Sequence, residues 1–320
     1  MTKSVNNAFE LNQPLSSNLI QIIGKNNFSN AYIFYGPDGT GKKEAAFNFI
    51  SEIMRGTEST KKIIEQIKEN NHPDFMSIEP TYLVKGHIIN QSDITLEAKP
   101  RAQPLVRVDQ IRQIRRFLSI KAIQSDKKFI LIIDSHRLNE SSSNCLLKTL
   151  EEPANGIFIL LTSNINLLLD TIISRCQKIK FKPYSHDQLV HFLEKQTNVL
   201  ELIDNKNLNI KDLIFISNGS PKKLLENIQI WNQIPQSLIK ELENHKFKIE
   251  QILFLAKFIS EELDLSSQEI LLDYIQRSWW RKTQNMLIVK ELEEIKKNLK
   301  NNVHPKISWE VGLLKININQ

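Results

Sequence analysis

Ala31-Tyr32-Ile33-Phe34-Tyr35-Gly36-Pro37-Asp38-Gly39-Thr40-Gly41-Lys42-Lys43 is the stretch on which the reading of this chain turns. Ala31–Tyr35 is an apolar run of strand type, and the residues from Lys42 to Met54 follow as an amphipathic helix. A glycine-rich loop between a strand and a helix is the context a P-loop requires. Glycines let backbone N–H groups turn inward around phosphate, and the helix N-terminus adds partial positive charge. The chain has only 9 glycines, and Gly36, Gly39 and Gly41 crowd into this loop beside Lys42. The frame of a phosphate-binding loop is therefore present.

Its catalytic fittings are not. The residue after Lys42 should carry a hydroxyl that ligates Mg²⁺; Lys43 stands there instead and adds a second positive charge. Phe129-Ile130-Leu131-Ile132-Ile133-Asp134 reads as a buried strand ending in an acid, which suits a metal-supporting Asp134. The following residue is Ser135 where an ATPase of this kind has a glutamate to orient the attacking water, and His136 is a poor substitute. Two of the parts hydrolysis needs are missing, so the expectation is weak or vestigial binding of ATP or ADP, with no nucleotide required.

Outward from the loop, residues 1–181 alternate strand-like and helix-like runs, the pattern of a parallel sheet covered by helices. Strands are expected at Ala31–Tyr35, Asp74–Ile78, Phe129–Asp134, Ile157–Ser163 and Gln177–Phe181, and helices at Leu15–Ile23, Lys42–Met54, Val108–Leu118, Ser142–Glu152 and Leu167–Ile173. Between Glu79 and Arg107 the pattern fails; Pro80, Pro100 and Pro104 suggest an irregular insertion or a loose β-excursion. From Lys182-Pro183 onward the pattern is all-helical. Ser185-His186-Asp187-Gln188 has the form of a capping box, and Asn218-Gly219-Ser220-Pro221 ends one helix and starts another. These signals outline a small helical domain at 182–235 and a second at 236–320, with one long helix through Ile270–Val289. Trp279 and Trp280 lie on that helix about 100° apart, so either one is core and the other exposed, or both help a helical core.

Composition narrows the class further. The 320 residues are 41% hydrophobic and 24% charged, an ordinary balance for a globular protein. The longest apolar runs, Phe129–Ile133 and Ile157–Leu161, are far shorter than the roughly 20 residues a membrane span needs. No apolar signal-type stretch opens the chain, and a cytoplasmic protein is expected. Cys145 and Cys176 are the only cysteines and have no metal-type spacing, which excludes a disulfide scaffold and a four-cysteine zinc site. The net charge of +6 and pI near 9.1 permit contact with nucleic acid without establishing it.

Three further stretches carry a resemblance. Asn144-Cys145-Leu146-Leu147-Lys148-Thr149-Leu150-Glu151-Glu152-Pro153 is followed by the strand Ile157–Asn164 and then by Thr171-Ile172-Ile173-Ser174-Arg175-Cys176. This succession resembles the AAA+ clamp-loader family of bacterial DNA polymerase III, which shares the L-L-K-T-L-E-E-P and S-R-C elements. Asn30–Phe34 and Asn71-His72-Pro73-Asp74-Phe75 are similar to the same family, over most of residues 20–235. The incomplete P-loop and the Asp134-Ser135 pair depart from its motor (gamma/tau) branch, and the resemblance is to the delta-prime branch. Many members carry a zinc-binding cysteine cluster ahead of H-P-D; Met54–Asn71 holds no cysteine, so no zinc and no other metal is expected.

The resemblance implies an AAA+ P-loop α/β domain (1–181), a helical lid (182–235) and an all-α collar (236–320) that joins other loader subunits. It implies that Arg175 reaches the γ-phosphate of ATP held by the neighbouring subunit, an arginine finger supplied in trans. Spacing alone favours a different reading, in which Arg175 pairs with a carboxylate at the sheet edge. Thr162, Ser163 and Asn164 fall at the family's sensor-1 position and Lys222 and Lys223 near sensor 2, where ordinary hydrogen bonding and helix-surface charge explain them as well. The expected partners are the motor and delta subunits, the sliding clamp through the complex, and primer-template DNA, with no membrane. Arg112, Arg115 and Arg116 share one face of the helix from Val108, which in the family lies against DNA; a solvated basic face is the competing reading. A divergent ATPase that hydrolyses ATP slowly is the alternative. A free-standing nucleic-acid adaptor would explain the charge but not Ser174-Arg175-Cys176.

Overall fold

In the computed structural model, residues 19–318 are described, except 20, 25–27, 55–58, 85–86, 94–99, 101, 195–209, 244–245 and 302. They fall into two compact units that divide between Tyr184 and Ser185. Of the helix expected at Leu15–Ile23, residues 15–18 and 20 lie outside the described residues.

The first unit runs β1 (Ala31–Tyr35), α1 (Lys42–Met54), α2 (Thr60–Lys68), β2 (Phe75–Ile78), β3 (Thr81–Val84), β4 (His87–Asn90), α3 (Val108–Ser119), β5 (Lys128–Ile132), α4 (Glu140–Glu151), β6 (Gly156–Thr162), α5 (Asp170–Ile173) and β7 (Gln177–Lys180). Five strands form a wholly parallel sheet in the order β2-β5-β6-β1-β7. Side chains alternate across it. Tyr32 and Phe34 enter a core with Phe49 and Ile50 of α1, whereas Ala31 and Ile33 enter one with Ile111 and Ile114 of α3 and Leu146 of α4. The central strands β5 and β6 are buried throughout because helices cover both faces, which is why they read as unbroken apolar runs. The edge strand β7 instead buries Ile179 and exposes Gln177, Lys178 and Lys180. Lysines on an edge also discourage pairing with a foreign strand.

Helix α2 is an element the sequence reading missed. Ser59 caps it, accepting from Lys62 N–H at 3.4 Å, and Ile63 and Ile67 bury one turn apart. The insertion at 79–107 takes the form of a β-excursion. β3 and β4 pair antiparallel, Thr81 bridges to Leu105, and Gln110 of α3 donates to the Glu79 carbonyl at 2.9 Å.

Asp74, completely buried just before β2, ties down the loop between α3 and β5. Its carboxylate accepts from the backbone N–H groups of Ile123, Gln124 and Ser125 at 2.7–2.9 Å, and from the Ser125 hydroxyl at 3.2 Å. Burial pushes its pKa up, but these hydrogen bonds outweigh burial and hold it below the usual carboxylate value. A depressed folded-state pKa contributes stability that is fully present above the unfolded value, near 3.9, and is lost as pH falls through the folded one. Asp74→Asn is therefore expected to destabilise by about 2 kcal/mol at neutral pH, since a neutral amide accepts less well and its NH₂ cannot accept from these N–H groups at all. Urea titrations followed by circular dichroism should show the gap between variant and parent closing as pH falls below the usual carboxylate value.

The second unit is helical: α6 (His186–Glu194), α7 (Ile210–Ile216), α8 (Pro221–Trp231), α9 (Gln236–Leu242), α10 (Ile249–Glu262), α11 (Leu265–Thr283), α12 (Met286–Lys300) and α13 (Pro305–Ile318). Both expected caps are present. Ser185 and Gln188 exchange hydrogen bonds at 2.9 and 3.3 Å, and Ser220 accepts from Lys223 N–H at 3.1 Å with Pro221 in the first turn. The single long helix through Ile270–Val289 is a correction. It breaks after Thr283 because Gln284 turns left-handed at φ 48° and Asn285 caps α12, accepting from Leu287 N–H at 2.9 Å. Trp279 is the core residue of the pair, donating to the Leu242 carbonyl at 2.8 Å, and Trp280 is 40% exposed. Helices α7 and α8 both pack on α11. Asp212 of α7 is buried there and bonds Arg277 and Arg281 of α11, each at 2.7 Å.

Candidate functional site

The P-loop forms where β1 hands the chain to α1. Gly36 sits where β1 and the residue after β7 converge: a Cβ there would lie 2.1 Å from the Phe181 carbonyl oxygen, so no other residue fits. Gly39 and Gly41 have φ of 72° and 82°, the left-handed region that glycine enters without strain. Lys42 is 8% exposed and turns its ammonium back onto the loop, donating to the carbonyls of Gly36 and Pro37 at 2.6 and 2.7 Å, with the Asp38 carboxylate at 3.6 Å. Burial lowers its pKa, although Asp38 and Asp134 both pull the other way. Its positive charge is thus already shared among groups of its own loop.

Lys43 points outward and lies over the ring of Phe47, 5.6 Å from its centre. β5 ends at Ile132, short of the strand expected to reach Asp134; Asp134 lies past it, left-handed at φ 48°. Ser135 is fully buried and donates to the Leu161 carbonyl at 3.0 Å. His136 approaches the Thr162 hydroxyl at 3.3 Å, and burial lowers its pKa, with Arg137 and Lys42 adding to the effect against the pull of Asp134 and Asp38. It is a neutral ring at pH 7. Thr162 spends its hydroxyl locally on the Asn164 backbone. The glycine frame fits a phosphate. The rest fits neither Mg²⁺ nor an attacking water: position 43 carries an ammonium, and the hydroxyl at position 135 is turned into the protein.

Arg175 stands at the other end of the strands, just before β7, the edge strand that pairs with β1. It lies in the turn between α5 and β7, ahead of a strand parallel to β1 in which Gln177 pairs with Tyr32 and Lys180 with Tyr35. Its guanidinium donates through Nη1 to the Thr171 carbonyl at 2.9 Å and through Nη2 to Glu151 at 2.7 Å, and remains 38% exposed. The carboxylate pairing that spacing suggested for Arg175 is present, and the guanidinium remains partly exposed. No periodicity pointed to Glu151 as that partner, because the two are brought together only when α4 packs beside α5. Next to it, Ser174 is exposed and bonds the Thr171 carbonyl, while Cys176 is buried, its thiol pushed up to about 12 by burial.

Along α3, Arg112 is exposed and paired with Asp109 at 3.1 Å, and Arg116 is exposed. Arg115 is turned toward α4, donating to the Thr149 hydroxyl at 3.1 Å. In the helical unit Lys222 lies 3.8 Å from Glu226. Among the described residues, no cluster of His, Cys, Asp and Glu is arranged to hold a metal, and no helix is long and apolar enough to cross a membrane.

A P-loop on a parallel sheet of order 2-5-6-1-7, followed by helices, defines the AAA+-like class of α/β proteins. A solved structure of a DNA polymerase III gamma subunit-related protein from Thermotoga maritima matches the fold with a TM-score of 0.50 at 16% identity, covering 94% of this chain and 98% of that one. Residues 11–185 match the family model described as DNA polymerase III, delta subunit, and residues 189–316 match the cyanobacterial DNA polymerase III delta prime, C-terminal domain. The chain belongs to the delta-prime family of DNA polymerase III clamp-loader subunits. It is 28% identical over 217 residues to the delta' subunit of Bacillus subtilis, covering 65% of this chain and 60% of that protein. It is 29% identical over 163 residues to the delta' subunit of Pseudomonas aeruginosa, covering 49% and 44%. The chain thus spans roughly half the length of these relatives.

Proposed function

We propose that this chain is a clamp-loader subunit that does not turn over ATP itself and supplies Arg175 to ATP held by a neighbouring motor subunit. The observation that best supports this reading is the register of β7 on β1. Gln177 lies beside Tyr32, whereas the P-loop begins after Tyr35, so Arg175 is at least a strand's length, about 13 Å, from its own Gly36. An arginine side chain does not span that and still meet phosphate, so Arg175 is out of reach of its own loop, as a residue that serves a neighbour's nucleotide would be. A guanidinium suits the task because it stays charged and its planar fork matches phosphate oxygens.

The same reading gives the chain gamma/tau and delta subunits as partners, the sliding clamp through the complex, and a cytoplasmic site of action. Residues 182–235 act as the lid and 236–320 as the collar in this reading. Primer-template DNA would meet the exposed Arg112 and Arg116 of α3 through its phosphates, with sequence-independent, salt-sensitive contact; Arg115 contributes less because it is bonded to α4. No nucleotide and no zinc are required, and any ATP or ADP bound at Gly36, Gly39, Gly41 and Lys42 is held weakly. The intact glycine frame is the feature that favours the alternative, a slow ATPase in its own right. The purified chain is expected to release no more phosphate from labelled ATP than buffer, with or without primed DNA. DNA-stimulated turnover by the chain alone would overturn the proposal.

A further inference from the structure

We propose that Glu151 parks Arg175: its carboxylate holds the guanidinium in a resting position from which a neighbour's phosphate must draw it. The inference rests on the reading of Arg175 as a trans finger and adds a residue that governs when the finger is available. Glu151 closes α4 and meets Arg175 Nη2 at 2.7 Å, while the Thr171 carbonyl holds Nη1 at 2.9 Å. A carboxylate this close offsets the positive charge that a phosphate would seek, and it opposes the approach of a second anion to the same guanidinium. The exposed Glu152 adds to that opposition. Arg175 in this pose is therefore oriented but electrostatically muted.

Two features make the pose reversible. Glu151 is 52% exposed and Arg175 is 38% exposed, so water screens the pair and a multiply charged phosphate outcompetes a single carboxylate. Beside Glu151 a cleft of about 560 Å³ is lined by Arg115, Ser119, Lys148, Thr149 and Glu152. Lys148 is three residues back on the same helix, within reach of a carboxylate that swings away. The released Glu151 has a second cation to turn to, and Arg175 becomes free to extend.

The test uses the full chain in a complex reassembled with its motor subunits, reading ATP turnover. Glu151→Gln keeps the shape and removes the charge, and is expected to raise turnover two- to fivefold at low salt, with a smaller gain at high salt. In an Arg175→Ala background the same change should do nothing, because a parking residue acts only through what it parks. A residue that merely finishes α4 would behave alike in both backgrounds. Turnover that is unchanged or reduced by Glu151→Gln, or raised equally without Arg175, overturns the inference. If Arg175→Ala itself leaves turnover unchanged, the finger reading falls first and parking falls with it.

Discussion

Replacing Arg175 with alanine should lower the ATP turnover of the reassembled complex, and its rate of placing clamps on primed DNA, by about tenfold or more. Arginine fingers contribute roughly 10³–10⁵ in rate in GTPases, and only the nucleotide facing this chain loses its finger here, which sets the expectation at the low end. The effect should be in turnover and not in assembly. Arg175 makes only half-exposed contacts, so its loss should change stability by less than about 1 kcal/mol. Arg175→Lys should rescue little, because a point charge does not reproduce a planar fork held at both ends. Normal turnover in the alanine complex, measured beside a parent complex of equal subunit content, would rule out the trans assignment.

Asp212→Ala should destabilise the helical unit by about 3 kcal/mol. The carboxylate is 1% exposed, and its two oxygens are taken by Arg277 Nε and Arg281 Nη2, each at 2.7 Å. Arg277 also lies flat over Phe215, its guanidinium carbon 3.5 Å from the ring centre. Removing the acid leaves two guanidiniums facing each other with no counter-charge between them, Arg277 the more buried of the two. Breaking a buried ion pair costs roughly 3–5 kcal/mol, and the low end applies because Arg281 reaches water on its far side. All 4 tryptophans, at 231, 279, 280 and 309, lie beyond residue 184, so their fluorescence in urea reports this unit alone. A midpoint shift equivalent to less than about 1 kcal/mol would mean that the apolar contacts of α7 with α11, and not Asp212, carry the packing.

Much of the site was legible in the sequence, for reasons that differ residue by residue. Gly36, Gly39 and Gly41 could be read because their backbone conformations exclude nearly every other residue, so the motif is the geometry. β5 and β6 could be read because a strand covered on both faces must be apolar throughout. Ser185 and Ser220 could be read because a cap acts within its own turn. The break at Gln284 was missed because a left-handed glutamine carries no signature, and the weak cue was Asn285 as a cap. Helix α2 was missed although Ser59, Ile63 and Ile67 are ordinary helix signals, because two buried isoleucines in nine residues are too short a run to set a period.

By itself, the sequence determined that a P-loop is present and that two of its working parts are not, since Lys43 and Ser135 are facts of composition that no fold can repair. It also determined the order of the five strands of the parallel sheet along the chain, because periodicity is local. Only the tertiary structure decided what those residues face. Ser135 is turned inward to the Leu161 carbonyl, Lys42 is engaged by its own loop, and Arg175 is a strand's length from the P-loop and bound to Glu151. Strand register and helix packing join residues far apart in the chain, and the energy that selects them is spread over the whole core.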